Sequence, residues 1–313
     1  VNAAKPRPYF TYIFSGAALL GLMIYLHFNA DRYRQLLDIA PLFLLSLATL
    51  VLFFTLANGL INYLLYRGLG VSLTFSEGIA LAAVNTLANL LPFAGGMIAK
   101  GLYLKRKHNL SYSSYFSATL ALYICFISTN GMIGIAGLSL LAHESRKVPP
   151  TLLITGFAAM TLSLLIIWLP FSFKSVPGKL GHRLEQLLCG WRVLSKQKAM
   201  ISKVIAVQVL LTVLFAARFW IAFHLVSQTV KFTYCIIFSA ATILTRLVSI
   251  APGAFGIREA IVAAVASAFG IGFGVSVVAV TIDRLVATLV VLVLGTVYTY
   301  ILGKKGLAPA MTS

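Results

Sequence analysis

Apolar residues run in long blocks through most of this chain, and polar residues fall mainly between the blocks. A helix rises ~1.5 Å per residue, so a block of ~20 residues crosses the ~30 Å hydrocarbon layer of a bilayer. Six blocks reach that length: 10–28, 40–65, 113–141, 151–173, 201–227 and 275–302. Two further apolar regions are broken. Residues 78–108 are interrupted by Pro92, Gly95 and Gly96, and residues 232–268 by Pro252, Gly253 and Gly256. Proline withholds a backbone donor and glycine permits a sharp reversal, so each region reads as two half-length helices about a hinge. The spacing suits a re-entrant hairpin and equally a kinked full span. The pattern predicts an all-α polytopic membrane protein. It has about six full spans plus two broken or re-entrant helical hairpins, in one integral membrane domain over residues 1–313.

The two broken regions share a design. Asn85, Thr86 and Asn89 precede Pro92 and Gly96 in the first; Thr245, Arg246 and Ser249 precede Pro252 and Gly256 in the second. A polar or glycine-rich turn follows each (109–114 and 270–276), and then a full span. This defines a first hairpin unit, 78–141, and a second, 232–302. The spans 113–141, 151–173 and 201–227 lie between the hairpins, and an odd number brings the second hairpin in from the opposite face. The units then form an inverted repeat, an arrangement from which transporters build a midplane site.

Composition narrows the function. Hydrophobic residues make up 60% and charged residues 10%, against about 25% charged in an ordinary soluble domain. The longest polar stretch, 174–203, is too short to bury a core of its own, so no soluble catalytic domain is expected. No nucleophile triad, phosphate loop or dinucleotide fingerprint occurs, and the histidines show no metal spacing. Cys125, Cys189 and Cys235 are too scattered for a disulfide framework. The chain is expected to be neither an enzyme nor a cofactor or metal binder.

The net charge is +18, from 25 Lys and Arg against 7 Asp and Glu. These basic residues sit in loops beside apolar blocks, which points to membrane orientation and not to nucleic acid. With re-entrant hairpins, sixteen fall on one side, Lys100 among them, and five on the other. That bias puts both termini in the cytoplasm, in a bacterial or archaeal cytoplasmic membrane. Block 10–28, preceded by Lys5 and Arg7, reads as a retained first helix. Within the cytoplasmic basic segment 174–200, Leu180, Leu184, Leu187, Leu188, Trp191 and Leu194 repeat at helical spacing. They oppose His182, Arg183, Glu185 and Arg192, as in an amphipathic helix lying on the inner leaflet.

Six charges fall inside the apolar blocks: Arg218, Arg246, Arg258 and Arg284, with Glu259 and Asp283. A charge at bilayer depth costs about 2.5–3.5 kcal/mol on insertion scales, so it persists where it is paired or faces a functional cavity. Helix rise brings Arg218, Asp283 and Arg284 each ~13 Å below the outer face. Arg258 with Asp283, or Glu259 with Arg284, are the pairs this allows, while Arg218 can also snorkel outward. Four cations against two anions leave positive charge for an anionic guest, and guanidinium suits phosphate. Asn58 and Asn62 share one helix face, as Asn85 and Asn89 share another, either bonding between helices or lining the path.

The residues at 85–92, Asn-x-x-x-Asn-Leu-Leu-Pro, the stretch Ala-Pro-Gly-Ala-Phe-Gly-Ile-Arg-Glu at 251–259 and Asp283-Arg284 resemble the lysylphosphatidylglycerol synthase transmembrane region, also called the flippase-like membrane family. The resemblance spans roughly residues 40–300. It implies a lipid-translocating membrane domain, handling isoprenoid carriers or modified phospholipids. Some relatives carry a soluble aminoacyltransferase domain after it. No such domain is expected here, and synthase activity is not expected. The family's first motif often has its own Arg and Glu after the proline, whereas Pro92 is followed by Phe93-Ala94-Gly95-Gly96-Met97 with Lys100 beyond.

The reading is a lipid flippase or transporter of an anionic, phosphate-bearing lipid, of phospholipid or polyprenyl-phosphate type. Arg218, Arg246, Arg258 and Arg284 hold the headgroup, Glu259 and Asp283 position them, and the hairpin prolines and glycines hinge. The alternatives are a secondary transporter of a small soluble anion and a non-transporting membrane scaffold.

Overall fold

The computed structural model describes residues 41–90, 95–143, 196–242, 245 and 256–307. Every regular element among them is a helix. In chain order these are α1 (Pro41–Gly68), α2 (Phe75–Ala88), α3 (Gly95–His108), α4 (Tyr112–His143), α5 (Lys198–Leu225), α6 (Phe232–Ala241), α7 (Ile257–Ala268) and α8 (Phe273–Leu307). Helices α1, α4, α5 and α8 are long and apolar enough to cross a membrane. They correspond to four of the six expected spans. Blocks 10–28 and 151–173 lie outside the described residues, as does segment 174–200 except for its last residues, which lead into α5.

The broken regions are pairs of half-length helices. α2 and α3 have 14 residues each, α6 has 10 and α7 has 12. At ~1.5 Å per residue none crosses a bilayer alone. α2 packs on α3, and α6 on α7. Pro92, Pro252 and Gly253 lie outside the described residues, while Gly95 and Gly96 open α3 and Gly256 caps α7.

Local chemistry explains the ends of the first pair. Thr74 caps α2: its hydroxyl accepts from the Glu77 amide at 3.3 Å, and its own amide donates to Glu77 Oε2 at 3.1 Å. Across the break, Asn89 Oδ1 accepts from the Gly96 amide at 3.2 Å, which ties the end of α2 to the start of α3. A Cβ on Gly96 would stand 2.1 Å from the Asn85 carbonyl oxygen, so the turn admits only glycine there. At the polar mouth of the pair, outside the four spans, Glu77 Oε1 accepts from Lys107 and Tyr103. Burial acts to raise the Glu77 pKa, but the bonds from Lys107, the Thr74 amide and Tyr103 outweigh it and bring it down to about 2.

Neighbour relations recur along the chain. α1 packs on α2 as α5 packs on α6; α2 packs on α8 as α6 packs on α4; α1 packs on α8 as α5 packs on α4. α1 and α5 lie against each other at the centre. Small residues let α1 and α2 approach closely, since a Cβ on Gly78 would reach within 2.5 Å of the Gly59 carbonyl. Asn62 of α1 bonds between helices, donating to the Gly78 carbonyl at 3.1 Å and accepting from Lys100 at 2.6 Å. Asn58 bonds within its own helix, to Phe54. Lys100, counted above with the loops, is instead buried inside the first helix pair.

Candidate functional site

The second helix pair brings the intramembrane charges together where α5, α7 and α8 meet. Adjacent residues on a helix point ~100° apart. Asp283 and Arg284 of α8 therefore address different neighbours. Asp283 faces α5 and takes a two-pronged bond from Arg218, Nε to Oδ1 at 2.8 Å and Nη2 to Oδ2 at 2.9 Å. Arg284 faces α7 and donates from Nη1 to Glu259 Oε1 at 2.6 Å. All four are buried, with Asp283 at 0%, Glu259 at 2%, Arg218 at 3% and Arg284 at 6% exposure. In low dielectric, such pairs hold only when each charge meets its opposite with good geometry.

The Glu259–Arg284 pair is one the sequence allowed. The Asp283 pairing differs: its partner is Arg218 and not Arg258. Arg218 consequently does not snorkel outward. Its guanidinium sits between aromatic rings, 5.0 Å from the Phe215 centroid and 5.4 Å from that of Phe54.

Arg258 is left over. It stands in the first turn of α7, two residues after Gly256, whose φ of +81° is a conformation glycine adopts freely. Its guanidinium lies 5.4 Å from the centroid of the same Phe215 ring that Arg218 faces. It is within electrostatic reach of Arg284, Asp283, Glu259 and Arg218. Its Nε is buried and has no hydrogen-bond partner among the described residues, and neither has Glu259 Oε2. The described cluster therefore carries three arginines against two carboxylates, with the surplus on Arg258. Arg246 lies outside the described residues.

A groove of about 240 Å³ is lined by Phe53, Leu56, Ala57, Leu60, Phe75, Leu210 and Leu214, all apolar. Its walls come from α1, α2 and α5, and Phe53, Phe75 and Leu210 are exposed on the outer surface of the helices. The Phe54–Phe215 pair, with centroids 5.7 Å apart, lies next in sequence to these lining residues and carries Arg218. Sequence reasoning missed this groove, because it forms between α1 and α5, which are remote in the chain.

Polar residues away from the cluster are mostly satisfied within the helices. Thr212 donates to Asn130 at 3.1 Å, and Ser239 donates to the Thr212 carbonyl at 3.0 Å, linking α4, α5 and α6. No group of metal-ligating side chains occurs among the described residues. Cys125 and Cys235 are buried free thiols.

Comparison with curated proteins and with solved structures returned no match. The model of one protein family, described as the lysylphosphatidylglycerol synthase TM region, matches residues 12–295. With nearly the whole sequence covered, and four helices among the described residues long and apolar enough to cross a membrane, this chain is an integral membrane protein that belongs to the lysylphosphatidylglycerol synthase transmembrane-region family.

Proposed function

We propose that this protein moves an anionic, phosphate-bearing lipid between the leaflets of the membrane, with the headgroup held at the arginine cluster. The observation that carries the reading is Arg258, the cation in excess of its neighbours' carboxylates among the described residues, where its buried Nε has no partner. A buried donor without an acceptor costs about 1–3 kcal/mol, more when charged, and a phosphate oxygen would satisfy it. Arg218 and Arg284, held in ion pairs, define the walls of the chamber. Glu259, with one oxygen unpartnered, is the better placed of the two acids to carry a coupling proton.

The apolar groove favours a lipid over a small soluble anion, because a hydrocarbon tail needs an open side and a soluble anion does not. The recurrent order of long, half, half and long helices, with its matched contacts, supports two copies of one unit. With an intervening odd number of spans the copies are inverted, both termini are cytoplasmic, and each half-helix pair is re-entrant. Alternating exposure of the chamber then follows from rocking one unit against the other about Gly95, Gly96, Gly256 and the neighbouring prolines.

The test is headgroup exchange in reconstituted vesicles, using phosphatidylglycerol with a fluorescent tail and a surface quencher. Arg258→Gln is expected to slow exchange at least about tenfold, since a charge-assisted bond of ~1.5–3 kcal/mol is lost. Exchange of a neutral lipid at the wild-type rate of the anionic one, or full activity in Arg258→Gln, would defeat the reading.

A further inference from the structure

The first helix pair carries a buried cation of its own. Lys100 of α3 is 8% exposed. Its ammonium donates to Asn62 Oδ1 at 2.6 Å and lies 5.1 Å from the centroid of the Tyr66 ring. No carboxylate among the described residues pairs with it. Glu77 of α2 is already committed, one oxygen to Lys107 and Tyr103 and the other to Thr74. An ammonium has three donors, and Asn62 takes one.

Tyr66 supplies the second observation. It is wholly buried, and its hydroxyl has no hydrogen-bond partner among the described residues. Its ring stacks on Tyr115, at 6.5 Å and 11° between planes. That packing is complete without the hydroxyl, so a phenylalanine would serve it equally well. The Asn62 bond likewise explains how α3 is tied to α1 but not why the tie bears a charge. The ammonium lies over the face of the ring that carries the orphan hydroxyl. The hydroxyl has no acceptor among the described residues, and the charged ammonium has Asn62 for one of its three donors. An anion answers both.

We propose that Lys100, Tyr66 and Asn62 form a second phosphate station, loaded from the cytoplasmic side, for the headgroup whose other station is the Arg258 chamber. The identity of the occupant rests on the lipid-transport reading above. Lys100 lies ~12 Å along α3 from its end at His108. That end carries Lys105, Arg106 and Lys107, a basic approach from the anionic headgroups of the inner leaflet. Each helix pair thus places one uncompensated cation shortly after its hinge glycine, Lys100 after Gly96 and Arg258 after Gly256. The station is closed in this structure. Opening it swings α3 away from α1 about Gly96, breaks the Asn62–Lys100 bond, and leaves the ammonium and the Tyr66 hydroxyl to a phosphate. Lysine suits a transient station, because it engages phosphate as a point charge and not through a fixed fork.

The experiment is native mass spectrometry of the full chain in detergent, titrated with phosphatidylglycerol. Wild type is expected to retain two lipids. Lys100→Met and Tyr66→Phe are each expected to weaken retention of one of them about tenfold, and Lys100→Arg to restore it. Tyr66→Phe is the decisive variant, since its hydroxyl bonds nothing among the described residues and its removal leaves the packing intact; its melting temperature without lipid should not fall. Wild-type retention in both Tyr66→Phe and Lys100→Met overturns the station. Millimolar inorganic phosphate separates the sources: displacement of the Lys100-dependent lipid assigns a free anion and overturns the lipid occupant, while no displacement supports the headgroup. If Arg258→Gln keeps both lipids and Lys100→Met loses one, the Arg258 chamber fails and the Lys100 station stands.

Discussion

At the residue scale, three arginines of one type have two different roles, and their partners decide which. Arg218 and Arg284 are locked to Asp283 and Glu259, whereas Arg258 has a buried nitrogen without a partner. Stability should separate them. Asp283→Asn leaves the Arg218 charge buried without its counter-ion, so it should cost about 3–5 kcal/mol. The double change Arg218→Met with Asp283→Leu should recover most of that loss, because an apolar pair of similar volume needs no compensation. Thermal unfolding in detergent reads both; equal melting of Asp283→Asn and wild type would show the pair to be slack. The charges themselves were legible in the sequence, because ionised groups inside apolar blocks stand out. Their pairing was not. Whether Asp283 meets Arg218 or Arg258 depends on which side of α8 faces which helix, and apolar blocks without strong periodicity do not mark a face. Lys100 was misplaced for the same reason, since a basic residue near a basic turn reads as loop until the packing of α3 against α1 is known.

At the element scale, the two helix pairs were legible from their breaks, and the ends of α2, α3, α6 and α7 fall near where proline and glycine put them. What the sequence did not reveal is the chemistry that closes the first break. Asn85 and Asn89 were read as bonding between helices or lining a path; the Asn89 side chain caps the start of α3 and the Asn85 carbonyl presses on Gly96. Such short-range closure needs the backbone geometry of both helices at once. Gly96→Ala should therefore cost about 1–3 kcal/mol through overpacking of the turn. Gly272→Ala, where the nearest atom to an added Cβ is a Val275 methyl at 3.8 Å, should be neutral. Protease susceptibility of the 89–95 link, with the melting temperature, distinguishes the two. Equal behaviour would remove the close approach as the reason for glycine.

At the scale of the whole molecule, the order of elements led the sequence reading to a repeat, and the contacts between helices are consistent with one. Corresponding helices have largely corresponding neighbours, and α5 in addition lies directly on α8. That extra contact is where Arg218 meets Asp283, so the departure from symmetry coincides with the charge cluster. If the copies are inverted, the mouths of the two helix pairs open on opposite faces of the membrane. Arg106, exposed near the end of α3, then faces the cytoplasm, and Thr229, exposed in the link between α5 and α6, faces outward. Single cysteines at these positions, with Cys125, Cys189 and Cys235 replaced by alanine, report the sides. An impermeant maleimide should label Thr229→Cys in right-side-out vesicles and Arg106→Cys in inverted ones. Labelling of both from one side would mean that the copies are parallel. The Lys100 station and the Arg258 chamber would then open on the same face, and no rocking of one unit against the other would carry a headgroup between leaflets.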